Sequence, residues 1–157
     1  MAFSTEALKS ELTNDPQTLG YASLVQAAND TAVAAILNLK NRNGRKPVTP
    51  AVIKDAAFES GVWRKLLDAA DNHATATVKY TARAFVDYIN DQRMTSLDLD
   101  KAAVVAMIDA LRTASPAVIS AGEKTALLAM GDAQISRAEQ LFGIGVVVTP
   151  DRVGGCR

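Results

Sequence analysis

Apolar side chains recur along this sequence at helical spacing in short segments, and each segment ends at a proline, a glycine or a group of small polar residues. In the longest segment, Val78, Ala82, Phe85 and Ile89 fall on one face of a helix. Proline and glycine end helices because proline lacks an N–H donor and glycine adopts positive φ freely. The pattern predicts a mostly all-α fold, a compact bundle of about seven short helices joined by polar turns.

The first interruption comes early, in "SELTNDPQTLGY". Asp15 precedes Pro16 and is therefore pushed out of the α region, which ends the first helix. Gly20 supplies a turn, and Ser23 is expected to cap the next helix. Turn and capping chemistry explain this break without a ligand.

Two Ser-x-x-Glu spacings predict capping boxes at helix N-termini, Ser120 with Glu123 and Ser136 with Glu139. For the second, the alternative interpretation is a contact between subunits. The segment "DAQISRAEQLF", which contains it, is predicted to be a helical piece.

Composition limits the classes of function. The 17 basic and 17 acidic residues cancel, so no long-range field attracts the chain to nucleic acid or to an anionic membrane. No apolar run approaches the ~20 residues that span a bilayer, and the N-terminus lacks the pattern of a signal peptide. We expect a protein that is made in a cytosol, stays soluble, does not contact a membrane and is unlikely to bind nucleic acid.

The sequence changes character near its end, in "GIGVVVTPDRV". Val146, Val147 and Val148 are β-branched and lie between a glycine turn and Thr149-Pro150, a pattern typical of a strand. We expect a short strand or extended arm that pairs either with "MTSLD" or with another subunit. Residues 1–143 are predicted to form a helical domain and residues 144–157 an extended C-terminal arm, within a single domain overall.

Basic side chains cluster in "KNRNGRKP", where Arg42, Arg45 and Lys46 are set among asparagine and glycine. The segment has little apolar surface and is predicted to be an exposed loop. It is either simply solvated or a contact for an acidic partner or a phosphate, so these three residues are candidate partner-binding residues together with the three valines.

Cys156 is the only cysteine, which excludes a disulfide within the chain. We expect an exposed thiol on a frayed tail, which is either free or forms an intersubunit disulfide.

His73 is the only histidine, so metal sites built on paired histidines are excluded. The segment "SAGEKTALL" lacks the contiguous Gly-Lys-Thr of a phosphate loop. We therefore expect no catalytic residue, metal or cofactor, no small-molecule substrate, and a protein that is not an enzyme.

Both ends of the chain carry short sequence motifs. The first, "ELT-DP---GY", falls on Glu11, Leu12, Thr13, Asp15, Pro16, Gly20 and Tyr21. An "A--LN" segment includes Leu37 and Asn38, and a closing motif similar to "SRAEELFG---V---DV" falls on residues 136–143 and 148–153. Together these motifs resemble a family of uncharacterised tailed-bacteriophage proteins encoded among virion structural genes.

The resemblance implies a phage structural protein, a multicopy helical subunit on the tail, baseplate, neck or capsid surface of the virion. Its implied partners are other virion proteins and copies of itself. An alternative is a phage binding module outside the virion, such as an assembly chaperone or an inhibitor of a host protein. An enzyme or nucleic-acid binder that uses the basic segment is a third hypothesis.

Overall fold

A computed structural model of the chain describes residues 3–157 and is mostly helical, with 60% of the residues in helices. Within these residues the ten helices are α1 (Thr5–Asn14), α2 (Tyr21–Gln26), α3 (Asp30–Asn38), α4 (Pro50–Glu59), α5 (Val62–Asn72), α6 (Ala76–Asn90), α7 (Ala102–Thr113), α8 (Ala121–Ala129), α9 (Arg137–Phe142) and α10 (Pro150–Gly154). The helical class is confirmed. The count exceeds the predicted seven, in part because the short helix α10 forms in a segment that was expected to be extended.

Two strands, β1 (Arg42–Arg45) and β2 (Asp132–Ile135), pair as a small antiparallel sheet in the described part of the chain. Both predictions for these segments are wrong, since β1 was expected to be a loop and β2 the start of a helix. Gly44 permits the close pairing, because a Cβ at this position would lie 2.3 Å from Cδ1 of Ile135. A contact between residues this distant in sequence leaves no mark on local periodicity.

The chain divides into two compact units. Unit 1 consists of the residues up to Gly44 together with Ala133–Arg157, and unit 2 is Arg45–Asp132. The chain passes from one unit to the other within β1 and returns within β2. The boundary predicted between residues 143 and 144 lies inside unit 1.

Unit 1 has its own apolar core, to which both ends of the chain contribute. Its fully buried side chains include Leu8 of α1, Tyr21 of α2 and Leu37 of α3 from the N-terminal part, with Phe142 and Val153 from the C-terminal part. Phe3 packs on Phe142 with 4.8 Å between the ring centroids.

Unit 2 is a helical core built mainly on α4 to α7. Ile53, Leu66, Phe85 and Ile108 are buried in it, one from each of these helices. The periodic face predicted for α6 is confirmed, since Val78, Ala82, Phe85 and Ile89 are all buried.

The C-terminal segment differs from the predicted extended arm. Residues 150–154 form α10, and no strand is assigned to residues 144–149. The segment "MTSLD" does not pair with the valines either, because its Leu97 forms an antiparallel bridge with Val48. Val148 and Val153 are buried, so the tail is part of the unit 1 core.

Candidate functional site

The motifs at the two ends of the sequence meet in unit 1 through a buried ion pair. Arg137 Nε donates to Glu11 Oε1 at 2.7 Å, and one terminal guanidinium nitrogen donates to Oε2 at 2.6 Å. The residues are 8% and 3% exposed, so both charges are removed from water and satisfied by one another. Hydrogen bonding to Glu11 raises the pKa of Arg137, against the opposing effect of burial. This geometry holds α1 against α9.

Asp15 organises the break that follows α1. It adopts a left-handed conformation with φ of 38°, which aspartate tolerates better than most residues. Its carboxylate accepts the N–H groups of Leu19, Gly20 and Tyr21 at 2.6, 2.7 and 3.3 Å. Burial acts to raise the pKa of Asp15, but these three backbone donors outweigh it and lower the pKa. The break is therefore a structural turn that starts α2 at Gly20, and the prediction that Ser23 caps α2 is wrong.

The Tyr21 side chain that follows this turn is completely buried. Its hydroxyl has no hydrogen-bond partner among the residues that the structure describes. Burial, and then the nearby Glu11 and Asp15 carboxylates, raise the pKa of Tyr21 far above its usual value, so the phenol stays neutral.

Glu139 connects the start of α9 to the segment that follows it. Its Oε2 accepts the backbone N–H of Ser136 at 2.9 Å, and the Ser136 hydroxyl accepts the N–H of Glu139, which confirms the predicted capping box. Oε1 of Glu139 accepts the N–H of Gly145 at 3.1 Å and lies 3.7 Å from the ammonium of Lys40. The buried carboxylate thus fixes where residues 144–148 leave α9.

Asn38, at the end of α3, fixes the same segment further along. Its side-chain amide donates to the carbonyl oxygen of Val148 at 2.7 Å and accepts the N–H of Val148 at 3.0 Å. This reciprocal pair pins the backbone at Val148 and leaves the neighbouring Val147 directed outward, 59% exposed. Asn38 thus satisfies the backbone N–H and C=O groups of Val148, which a neighbouring strand would otherwise do.

Three large apolar side chains are exposed in the segments of unit 1 that meet at this contact. Leu39 is 57% exposed, Ile144 41% and Val147 59%. Leu39 and Val147 adjoin the hydrogen-bonded residues Asn38 and Val148, and Ile144 adjoins Gly145, which Glu139 holds. We call Leu39, Ile144 and Val147 the apolar surface.

The three predicted valines therefore have different roles. Val148 is buried, Val146 is half-buried and packs against the core, and Val147 alone is exposed. The sequence prediction missed Leu39. Its position could have indicated an exposed apolar residue, because Leu39 lies directly before the polar segment "KNRNGRKP".

The basic residues of β1, and Lys46 directly after it, are held by neighbours within their own units. Arg45 makes ion pairs with Asp132 at 2.8 Å and Asp100 at 2.6 Å, and its hydrogen bonds to these two carboxylates raise its pKa. Arg42 donates to Gln17 at 3.4 Å. The backbone N–H of Lys46 donates to the carbonyl oxygen of Gly131. The charge of Arg45 is thus compensated by two carboxylates, which weakens its case as a phosphate ligand.

Cys156 is buried at 4% exposure, so the prediction of an exposed thiol is wrong. Its Sγ lies 3.7 Å from the carbonyl oxygen of Thr5, to which it donates, and burial raises the pKa of the thiol. An intersubunit disulfide would first require this part of unit 1 to open.

Unit 2 contains a groove of about 650 Å³ between one side of α5 and the segment before α8. Its lining residues include Lys65, Asp68, Asn72 and His73. His73 Nδ1 accepts the N–H of Thr75 at 3.1 Å, which leaves Nε2 to donate to the carbonyl oxygen of Pro116 at 3.1 Å. His73 therefore connects the junction between α5 and α6 to the segment before α8.

Within residues 3–157, no group of three or more histidine, cysteine, aspartate or glutamate side chains is placed to hold a metal ion. Across the same residues, every helix is too short or too polar to cross a bilayer.

No family model, curated protein or solved structure matches this chain.

Proposed function

We propose that the chain is a structural subunit of a tailed-bacteriophage particle, present in many copies and acting through contacts with other virion proteins and with copies of itself. The phage assignment rests on the resemblance of the two end motifs. The mode of action rests on the apolar surface, which is the single observation in the structure that carries it.

The apolar surface has the properties of a protein-binding site. Leu39, Ile144 and Val147 are large, exposed and apolar, and such side chains are more often concealed in a folded domain. Their backbone is fixed by the bonds from Asn38 and Glu139, so little conformational freedom would be lost when a partner covers them. A preformed apolar surface of this kind suits a permanent contact in an assembly.

The end motifs support the same proposal in a different way. Glu11, Asp15, Ser136, Arg137 and Glu139 all use their polar groups inside unit 1, where they join α1, α2 and α9. Residues that the resemblance identifies therefore build the unit that presents the apolar surface.

The experiment that tests the virion assignment is mass spectrometry of purified particles, with quantification against a major virion protein. We expect the chain in stoichiometric amounts. If it remains in the infected-cell lysate and is absent from particles, the virion proposal is wrong, and a phage binding module outside the virion becomes the better hypothesis.

A matched pair of variants tests the surface. Val147→Asp places a charge on the apolar surface, whereas Val52→Asp makes the same change at a position of unit 2 that is 52% exposed. We expect both proteins to fold, and only Val147→Asp to lose incorporation into particles. Equal incorporation of the two variants would exclude the apolar surface as the binding site.

A further inference from the structure

We propose that Asn43–Gly44 in β1 is a site of spontaneous deamidation that is controlled by opening of the strand pair, and that the isoaspartyl product cannot re-form the pair. It is the one Asn-Gly sequence in the chain. The inference does not depend on the proposed function.

The two residues supply the reacting groups. The backbone nitrogen of Gly44 attacks Cγ of Asn43, the new N–Cγ bond closes a five-membered succinimide ring, and the Cγ–Nδ2 bond breaks. Ammonia leaves with the proton from the Gly44 N–H. Glycine is the favourable neighbour because it has no Cβ to hinder the approach of its nitrogen.

Water completes the reaction by opening the ring on either side. Opening at the side-chain carbonyl gives an ordinary aspartate at position 43. Opening at the main-chain carbonyl gives an isoaspartate, in which the backbone runs through Cβ and Cγ and is longer by one methylene. The net change in both cases is the exchange of an amide nitrogen for an oxygen, with water consumed and ammonia released.

The strand pair controls the first step. Ring closure needs the Gly44 nitrogen and Cβ of Asn43 on the same side of the Cα–C bond, and an extended strand keeps them apart. The Asn43 side chain is also held, because its Oδ1 accepts from Gln134 Nε2 at 2.7 Å. The reaction therefore proceeds from the open state of β1.

Opening of this pair is expected to be frequent. Each strand has four residues, and a sheet of two short strands is only marginally stable on its own. Asn43 is exposed, so water reaches the site as soon as the strand separates.

The two products differ in their effect. Aspartate at position 43 keeps the backbone length, and its carboxylate still accepts from Gln134. Isoaspartate displaces every following residue of β1, including Gly44, whose close approach to Ile135 leaves no room for a shift. Once the isoaspartyl product has formed, the strand pair is therefore expected to stay open, which we call one-way opening.

Peptide mapping by mass spectrometry tests the proposal on the full chain, incubated at mildly alkaline pH with and without urea. Asn41 is the internal control, since it is exposed, lies two residues away and is followed by arginine. We expect several-fold faster conversion at Asn43 than at Asn41 in the folded protein, and a further acceleration in urea. Conversion of Asn43 no faster than that of Asn41 in the folded protein, or a rate at Asn43 that urea does not raise, would overturn the proposal.

Two variants complete the test. Asn43→Gln keeps the amide but would need a six-membered ring, so we expect conversion to stop. Asn43→Asp reproduces the ordinary product, and we expect its β2 amides to remain protected from hydrogen exchange, whereas the purified isoaspartyl protein loses that protection. Retained protection in the isoaspartyl protein would refute the claim of one-way opening.

Discussion

Glu11 and Arg137 show how much unit 1 depends on individual polar residues. Burial of a charge is costly unless a partner of good geometry replaces its water, and the two hydrogen bonds of this pair do so. Loss of one partner leaves the other charge buried and unpaired. An apolar pair of similar volume avoids that penalty, so a double substitution should destabilise the protein less than a single one.

Arg137→Met is expected to lower the free energy of unfolding by about 3–5 kcal/mol, because it strands the Glu11 carboxylate in the core. Chemical denaturation in urea measures the loss. The double variant Glu11→Leu/Arg137→Met should recover much of it. Arg93→Met is the matched control, since Arg93 pairs with Asp91 at the surface and its side chain is 90% exposed, and we expect no measurable loss there. Equal effects of Arg137→Met and Arg93→Met would contradict a role for burial.

Asp15 makes unit 1 sensitive to acid. The pKa of Asp15 is lower in the folded chain than in the unfolded chain. Its contribution to stability is therefore fully present at pH values above the pKa of the unfolded chain, and it is lost as pH falls through the pKa of the folded chain. The pKa of aspartate in an unfolded chain is about 3.9, so the loss of stability begins near pH 4 and grows at lower pH. Asp15→Asn tolerates the same left-handed backbone and should flatten this part of the stability profile, measured as urea midpoints across the acid range. An unchanged profile would show that other carboxylates control acid unfolding.

At the scale of elements, local signals and distant contacts were predictable to different degrees. The helix starts at Ser120 and Ser136 follow from side chains that bond within three residues, and both are confirmed. The pairing of β1 with β2 was not predictable, because Gly44 and Ile135 are distant in sequence and neither segment has strand periodicity. For the same reason Arg137 and Glu11 fall in separate sequence motifs, and their pairing was not predictable.

The two capping boxes offer a comparison between a buried and an exposed helix start. Ser136 is 2% exposed and Ser120 is exposed, although each accepts the N–H of the glutamate three residues later. Ser136→Ala should cost about 2 kcal/mol, since water cannot replace the lost acceptor, and Ser120→Ala only about 0.5 kcal/mol. Thermal unfolding of both variants measures the difference, with Ser→Thr at each position as the control that keeps the hydroxyl. A larger loss of stability for Ser120→Ala than for Ser136→Ala would contradict the role given to burial.

At the scale of the whole molecule, the chain forms two units with separate apolar cores. Unit 1 is discontinuous in sequence, so its N-terminal helices complete their core only with residues that follow unit 2 in the chain. The sequence predicted helices in both units but no division between them, because the boundary falls within two short strands and no linker marks it.

Each unit contains one natural probe of its own folding. Cys156 lies in the core of unit 1, and its thiol should react with an alkylating reagent only when that core opens. Trp63, the one tryptophan of the chain, is 6% exposed in the core of unit 2, with the Lys54 ammonium 5.2 Å from its ring centroid. Thiol labelling and tryptophan fluorescence therefore report on different cores.

Glu11→Gln should separate these two signals. It removes the negative charge that faces Arg137 in unit 1, so we expect faster alkylation of Cys156 in the folded protein, while the midpoint of the Trp63 fluorescence transition in urea stays at the wild-type value. Glu59→Gln, at an exposed position of unit 2, is the control and should change neither signal. The physical reason is that a local opening exposes the thiol without unfolding a core that has its own buried side chains. If Glu11→Gln shifts the fluorescence midpoint together with the labelling rate, the two cores unfold as one cooperative structure, and the division into units has no counterpart in stability.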